Sequence, residues 1–195
     1  MGSSEFNFEM QRKLVHVALT CYPLFLIYFN VGTSLRLLIS LIYFTAWIFS
    51  EFLRIYLKIK TPTGILISKI SRHVQIGDLD KHRYKIRFPY WILGLSIIML
   101  VSSNTALLVA TVTLTFGDSI SGIAKSLLKD RNIFVGIFSG TLISLSILYL
   151  LTQNLLISLL CPFLGMLSEL IGNRIDDNFS IPLFSGLSAI LVQLI

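Results

Sequence analysis

Residues 132–168, NIFVGIFSGTLISLSILYLLTQNLLISLLCPFLGMLS, contain no charged side chain. A helix crossing the apolar core of a bilayer, about 30 Å thick, needs about 20 residues, so this run is long enough for two. Its only polar break is Thr152-Gln153-Asn154, and it reads as two apolar helices joined by a tight turn. Phe88–Gly117 repeats the arrangement around Ser102-Ser103-Asn104, and Leu37–Ser50 and Phe179–Ile195 are also free of charge. The runs are continuous and show no two-residue alternation, which argues against the strands of a membrane barrel. The expected fold is an all-α integral membrane protein, a bundle of about seven transmembrane helices near residues 14–31, 35–57, 88–102, 105–127, 134–151, 154–171 and 181–195.

The composition of the 195-residue chain agrees. It is 54% hydrophobic and only 13% charged, against about 25% charged for an ordinary soluble domain, and its mean hydropathy is +0.80. Residues 1–6 read as an appended or disordered N-terminus, and residues 7–195 as a single transmembrane domain. No cleavable signal-peptide pattern is present, and Phe6 stands where myristoylation requires Ser or Thr. Cys21 and Cys161 fall in predicted spans without a second Cys or a His nearby, and read as small apolar packing residues.

Alternating the loops about these spans separates the charges. The loops near 31–35, 103–104 and 152–154 carry none, and only Arg36 lies close to that end. The opposite end receives 15 of the 16 Lys and Arg residues and all 10 Asp and Glu residues. The positive-inside rule makes that end cytoplasmic, together with the N-terminus. The net charge of +6 is thus a property of one surface, suited to anionic headgroups or to a phosphorylated substrate. The basic segment Lys81–Arg87 has the character of a juxtamembrane anchor. Nucleic acid is not an expected partner, because no soluble domain exists to hold it.

The charged end contains two constellations able to carry chemistry. In Ser168–Pro182, three carboxylates and two Asn residues interrupt two apolar runs. Carboxylates beside a bilayer are costly and mark functional sites, and the adjacent pair Asp176-Asp177 suits a hard cation such as Mg²⁺. A solvated turn rich in Asp and Asn is the plain alternative. In Phe116–Lys125, Asp118, Ser121, Gly122 and Lys125 follow helical spacing on one face. That face offers a carboxylate, a hydroxyl, room for close approach and a cation, and Lys129 and Arg131 extend it. A buried Asp–Lys pair holding two helices together would leave the same trace. Gly117 and Gly122 are spaced as in a P-loop, but Lys125-Ser126 comes two residues late and no strand precedes it.

Three smaller groups lie at the same end. Arg12, Lys13 and His16 open the first span, Glu51 and Arg54 close the second, and Glu169 lies one turn before Asn173. Each is ordinary alone, since helix-end cations snorkel to the interface and a Glu–Arg pair is common on one helix. Their convergence suggests a shallow pocket among the helix ends.

These motifs resemble the CTP-dependent polyprenol kinase family, which includes dolichol kinases, phytol kinases and the CTP-using diacylglycerol kinase of yeasts. The matching pieces are Arg12-Lys13-x-x-His16, Glu51-x-x-Arg54, Gly117-Asp118-x-x-Ser121, and Glu169 followed by Ile175-Asp176-Asp177-Asn178-x-x-Ile181-Pro182. They extend from the first span to the last. Residues 125–140 depart from the family pattern, with Gly136, Ser139 and Gly140 the small residues there and no acid after Asp130.

The resemblance implies transfer of the γ-phosphate of CTP to the hydroxyl of a membrane isoprenoid alcohol. It makes Asp118, Asp176 and Asp177 the expected Mg²⁺ ligands. Gly117, Ser121, Gly122, Lys125, Lys129, Arg131 and Asn178 become the expected nucleotide contacts, and Asp177 or His16 the acceptor of the alcohol proton. Arg12, Lys13, Glu51, Arg54 and Glu169 would support the pocket. The expected partners are CTP, the lipid alcohol and the bilayer. A cytidylyltransferase making a CDP-lipid shares the nucleotide, metal and membrane, but its long C-terminal signature is missing here. A small ion or solute transporter would instead place charge along the midplane.

Overall fold

The computed structural model describes residues 10, 13–14, 17–18, 20–56, 90–100, 103–128, 132–171 and 176–195, with the backbone alone at 51 and 54–56. Among them the chain forms helices and no strands, in seven helical units. Met10, Lys13, Leu14, Val17, Ala18 and Thr20 are helical and precede α1 (Tyr22–Tyr28), which starts with Pro23 in its first turn. α2 (Thr33–Tyr56) and α3 (Tyr90–Leu100) follow. The next unit is one continuous helix built from α4 (Asn104–Val112), a π-helical segment (Thr113–Asp118) and α5 (Ser119–Leu127). α6 (Ile133–Thr152) and α7 (Leu155–Leu167) come next; a 3₁₀ turn (Ser168–Ile171) extends α7, and α8 (Asp177–Leu194) completes the set.

The polar breaks act as helix punctuation. The Ser103 hydroxyl accepts the N–H of Ala106, and the Asn154 carboxamide accepts that of Ile157. Between α6 and α7, Gln153 takes a left-handed conformation (φ 53°), which lets the chain turn over the two residues Gln153 and Asn154. Asp176 caps α8 by accepting the N–H of Asn178.

The α4–π–α5 helix is the axis of the bundle. Its span Asn104–Leu127 is 67% buried, against 17% for Thr33–Ser50 and 33% for Ile133–Thr152. α8 packs on α7, α3 and α4, while α6 packs on α7, α5 and the π segment. Leu95, Ile98, Val109, Ala110, Val112, Leu114, Met166 and Ile181 form the centre of the core. Gly117 and Gly140 let the axis and α6 approach closely. A methyl group on Gly140 would lie 2.7 Å from the Gly117 carbonyl oxygen, and one on Gly117 would lie 2.6 Å from Ser144 Oγ.

Outside the core, large apolar side chains face outward, including Leu38, Leu41, Ile42 and Phe49 on α2 and Phe134, Phe138, Leu142 and Leu150 on α6. Exposure on this scale is unusual for a water-soluble monomer and compatible with lipid contact. The expected number of helical units is found. Among the described residues, three helices are long and apolar enough to cross a membrane: Thr33–Ser50, Asn104–Leu127 and Ile133–Thr152. Tyr90–Leu100 and Leu155–Ile171 are shorter; 11 residues of α3 rise only about 17 Å.

Candidate functional site

Three chain segments carry the site. The π-helical segment ends on Asp118, one turn of α5 presents Ser121 and Lys125, and the 3₁₀ turn with the start of α8 supplies Glu169, Asp176 and Asp177. A π turn inserts one residue more than an α turn and is often found at functional sites.

Lys13 anchors the N-terminal helical residues to this region. Its ammonium donates to Asp118 Oδ2 at 2.8 Å and to the Asp118 backbone carbonyl at 3.0 Å. The Lys13 side chain is 7% exposed and that of Asp118 16%, so the pair is largely withdrawn from water. Two turns further along, the Thr20 and Thr115 hydroxyls are bonded at 2.9 Å.

The second unit is a triad. Glu169 accepts from Ser121 Oγ at 3.1 Å with one carboxylate oxygen and from Lys125 Nζ at 3.0 Å with the other. Its side chain is 4% exposed. Gly136 of α6 makes room for this arrangement: a methyl group there would run into Ser121 Oγ and approach the Lys125 ammonium to 2.8 Å. The 3₁₀ turn holding Glu169 is pinned by Ser168, whose hydroxyl donates to the Gly165 carbonyl at 2.6 Å and to Ser180 Oγ of α8 at 3.1 Å.

Asp177 opens α8, ahead of the apolar run 181–195. Its Oδ1 is buried without a hydrogen-bond partner. Burial above all, then the charges of Glu169, Asp118 and Asp176, push its carboxyl from 3.8 up to about 6, and Lys125 opposes the shift. Among the described side chains, Lys13 is paired with Asp118 and Lys125 with Glu169.

The structure gives the expected site residues the following surroundings. Lys125, expected to contact a triphosphate, is tied to Glu169. Gly117, expected at a nucleotide, is buried against Ser144, Gly140 and Met166 and serves helix packing. Asp176, expected on a metal, is exposed and caps α8, its Oδ1 accepting from both the backbone and the side-chain amide of Asn178 at 2.9 Å. That bond also occupies Asn178, expected at the nucleotide. Gly122 is half-buried on α5. Glu169 and Lys13, read as mere support, are central to the two ion pairs. Arg12, His16, Lys129 and Arg131 lie outside the described residues, as do the side chains of Glu51 and Arg54.

No family model, curated protein or solved structure matches this chain.

A Mg²⁺ site is testable against this geometry. No three Asp, Glu, His or Cys side chains converge as a ready-made ligand set among the described residues. Mg²⁺ does not require one, since it usually takes one or two carboxylates, waters and substrate phosphates. The partnerless Asp177 oxygen, with the carboxylate of Asp118 near enough to raise its pKa, fits a divalent cation.

Proposed function

We propose that this chain is a multi-pass membrane kinase that phosphorylates the hydroxyl of an isoprenoid alcohol with CTP, at a site on the cytoplasmic side. The observation that carries the reading is the buried, partnerless Oδ1 of Asp177, near Lys13–Asp118 and Ser121–Lys125–Glu169 at the charged end of the bundle. The motifs that resemble polyprenol kinases supply the nucleotide and substrate class.

Phosphoryl transfer depends on positioning and on neutralising charge. Asp177, with Asp118 beside it, would hold Mg²⁺, which when bound neutralises the phosphates. The alcohol oxygen attacks the γ-phosphorus, the bond to the β–γ bridging oxygen breaks, and CDP leaves with that electron pair. The alcohol proton passes to a nearby base, Asp177 or His16. Glu169 holds Lys125 and Ser121 in place, and Lys13 fixes the orientation of Asp118. The isoprenoid tail stays in lipid, and only its hydroxyl reaches the charged end.

The test is an assay of the purified chain in detergent with γ-labelled CTP, Mg²⁺ and geranylgeraniol or dolichol. Label in the lipid extract, lost in Asp177→Asn, is the expected result. Pyrophosphate released from CTP with phosphatidate, and no labelled alcohol, would overturn the kinase in favour of a cytidylyltransferase.

A further inference from the structure

Of the charges that act on the Asp177 carboxyl, Glu169 is the strongest, ahead of Asp118 and Asp176, and Lys125 is the cation that opposes them. Glu169 and Lys125 therefore lie within electrostatic reach of Asp177 while bonded to each other at 3.0 Å. The two ends of this ion pair differ. The Glu169 side chain is 4% exposed and that of Lys125 30%, so the carboxylate is enclosed and the lysine is partly open to water.

The restraints differ in the same sense. The second oxygen of Glu169 accepts from Ser121 Oγ at 3.1 Å, and the 3₁₀ turn that carries it is tied to α8 through Ser168 and Ser180. Lys125 lies in the last turn of α5, and among the described residues its ammonium donates to Glu169 alone. Its stem rests on the bare flank of Gly136, where a methyl group would come within 2.6 Å of Cε. A lysine ammonium is a compact charge on a flexible stem, whereas a buried carboxylate with no counter-charge is costly. Glu169 thus always needs a cation, and Lys125 supplies one. A divalent ion beside Asp177 would supply it with twice the charge.

We propose that Glu169 and Lys125 form an exchangeable pair, in which a divalent cation at Asp177 takes the Glu169 carboxylate as a further ligand and displaces the Lys125 ammonium. This rests on the divalent-cation site of the kinase reading and adds to it Glu169, which the sequence marks only as support. Carboxylate oxygens suit Mg²⁺ and Mn²⁺ alike. Ser121 keeps its bond to Glu169 and limits how far the carboxylate turns. The released ammonium stays at the charged end, where phosphates accompany such a cation.

The probe is Mn²⁺ without nucleotide, added to the purified full chain in detergent at constant ionic strength. Bound Mn²⁺ is read from the loss of the free-ion electron spin resonance signal. Acetylation of Lys125 is read by mass spectrometry and normalised to all lysines of the same digest. Saturating Mn²⁺ should speed Lys125 acetylation severalfold, and Asp177→Asn should abolish that effect. Lys125→Met leaves Glu169 without its resident cation and should tighten Mn²⁺ binding about tenfold, whereas Glu169→Gln should weaken it by a similar factor. If Lys125→Met does not fold, the acetylation of the wild type decides alone. Mn²⁺ binding that leaves Lys125 acetylation unchanged would overturn the exchange and spare the kinase reading. No Mn²⁺ binding by the wild type would overturn both. Exchange at Lys125 without transfer of label from CTP would uphold the pair and overturn the kinase.

Discussion

Replacing Asp177 by Asn should make the protein more stable while removing its proposed activity, and pH should govern the size of the gain. The folded carboxyl titrates at about 6 rather than 3.8, so the folded state binds its proton more tightly than the unfolded one. Below about pH 4 both states are protonated, and the native environment imposes no ionisation penalty. As pH rises through about 6, the folded protein must ionise a group enclosed by burial and by Glu169, Asp118 and Asp176, and stability is lost. Ionising a carboxyl held at about 6 costs the folded state about 3 kcal/mol more than ionising an ordinary one. The carboxyl is partly open to water, so about half of that, roughly 1.5 kcal/mol, is the effect to expect. For a chain of this size that is roughly 3–6 °C in Tm. The assay is tryptophan fluorescence on heating in detergent, for wild type and Asp177→Asn between pH 4 and 8 without divalent cations. The variant should lead at pH 8 and converge with wild type near pH 4. Mg²⁺ should stabilise the wild type alone, because it offsets the charge that the variant lacks. Equal Tm values at pH 8, or a gap that persists unchanged at pH 4, would refute the electrostatic account of Asp177.

Glu169→Ala should cost about 3 kcal/mol by stranding Lys125 in a half-buried setting, whereas Glu169→Gln keeps an acceptor for both partners and should cost less; chemical denaturation compares them. Asp176→Ala should lower stability by about 1 kcal/mol through the lost cap, and Asp176→Asn, itself a good cap, should unfold like wild type. If Asp176 also serves a metal, Asp176→Asn should still lose phosphoryl transfer in the labelled-CTP assay. Gly140→Ala should cost about 1–3 kcal/mol by forcing α6 off the Gly117 carbonyl, read as a lower Tm at every pH, in contrast to Asp177→Asn.

The helical layout was largely legible because long apolar runs and their polar breaks are local signals. Ser103, Asn154 and Asp176 each sit at a break and each caps the helix that follows. The last helix begins earlier than its expected span at 181, because Asp177 and Asn178 enter its first turn and Pro182 is accommodated within it. What periodicity cannot report is which helix face meets which. The i, i+4 spacing placed Ser121 and Lys125 together, but nothing near them in the chain pointed to Glu169, 44 residues beyond Lys125. Gly117 looked like a ligand-facing glycine, and its close contacts, with those of Gly136 and Gly140, follow from helix crossings that only tertiary packing creates. Arg36 was visible as the lone cation of its end, while its burial was not.

The π-helical segment makes the site a matter of phase. Residues 113–118 carry one residue more than α geometry would hold over the same rise. The wider i→i+5 turn takes up that surplus, so the helix leaves the segment in the phase at which an α-helix one residue shorter would leave it. Val109 and Val112 before it and Asp118, Ser121 and Lys125 after it thus keep their faces, although the count between them is not an α count. Removing one residue from Thr113–Phe116 would let the segment relax to α and leave those faces in place, whereas removing Ile120 would turn Ser121 and Lys125 away from Glu169 by about 100°.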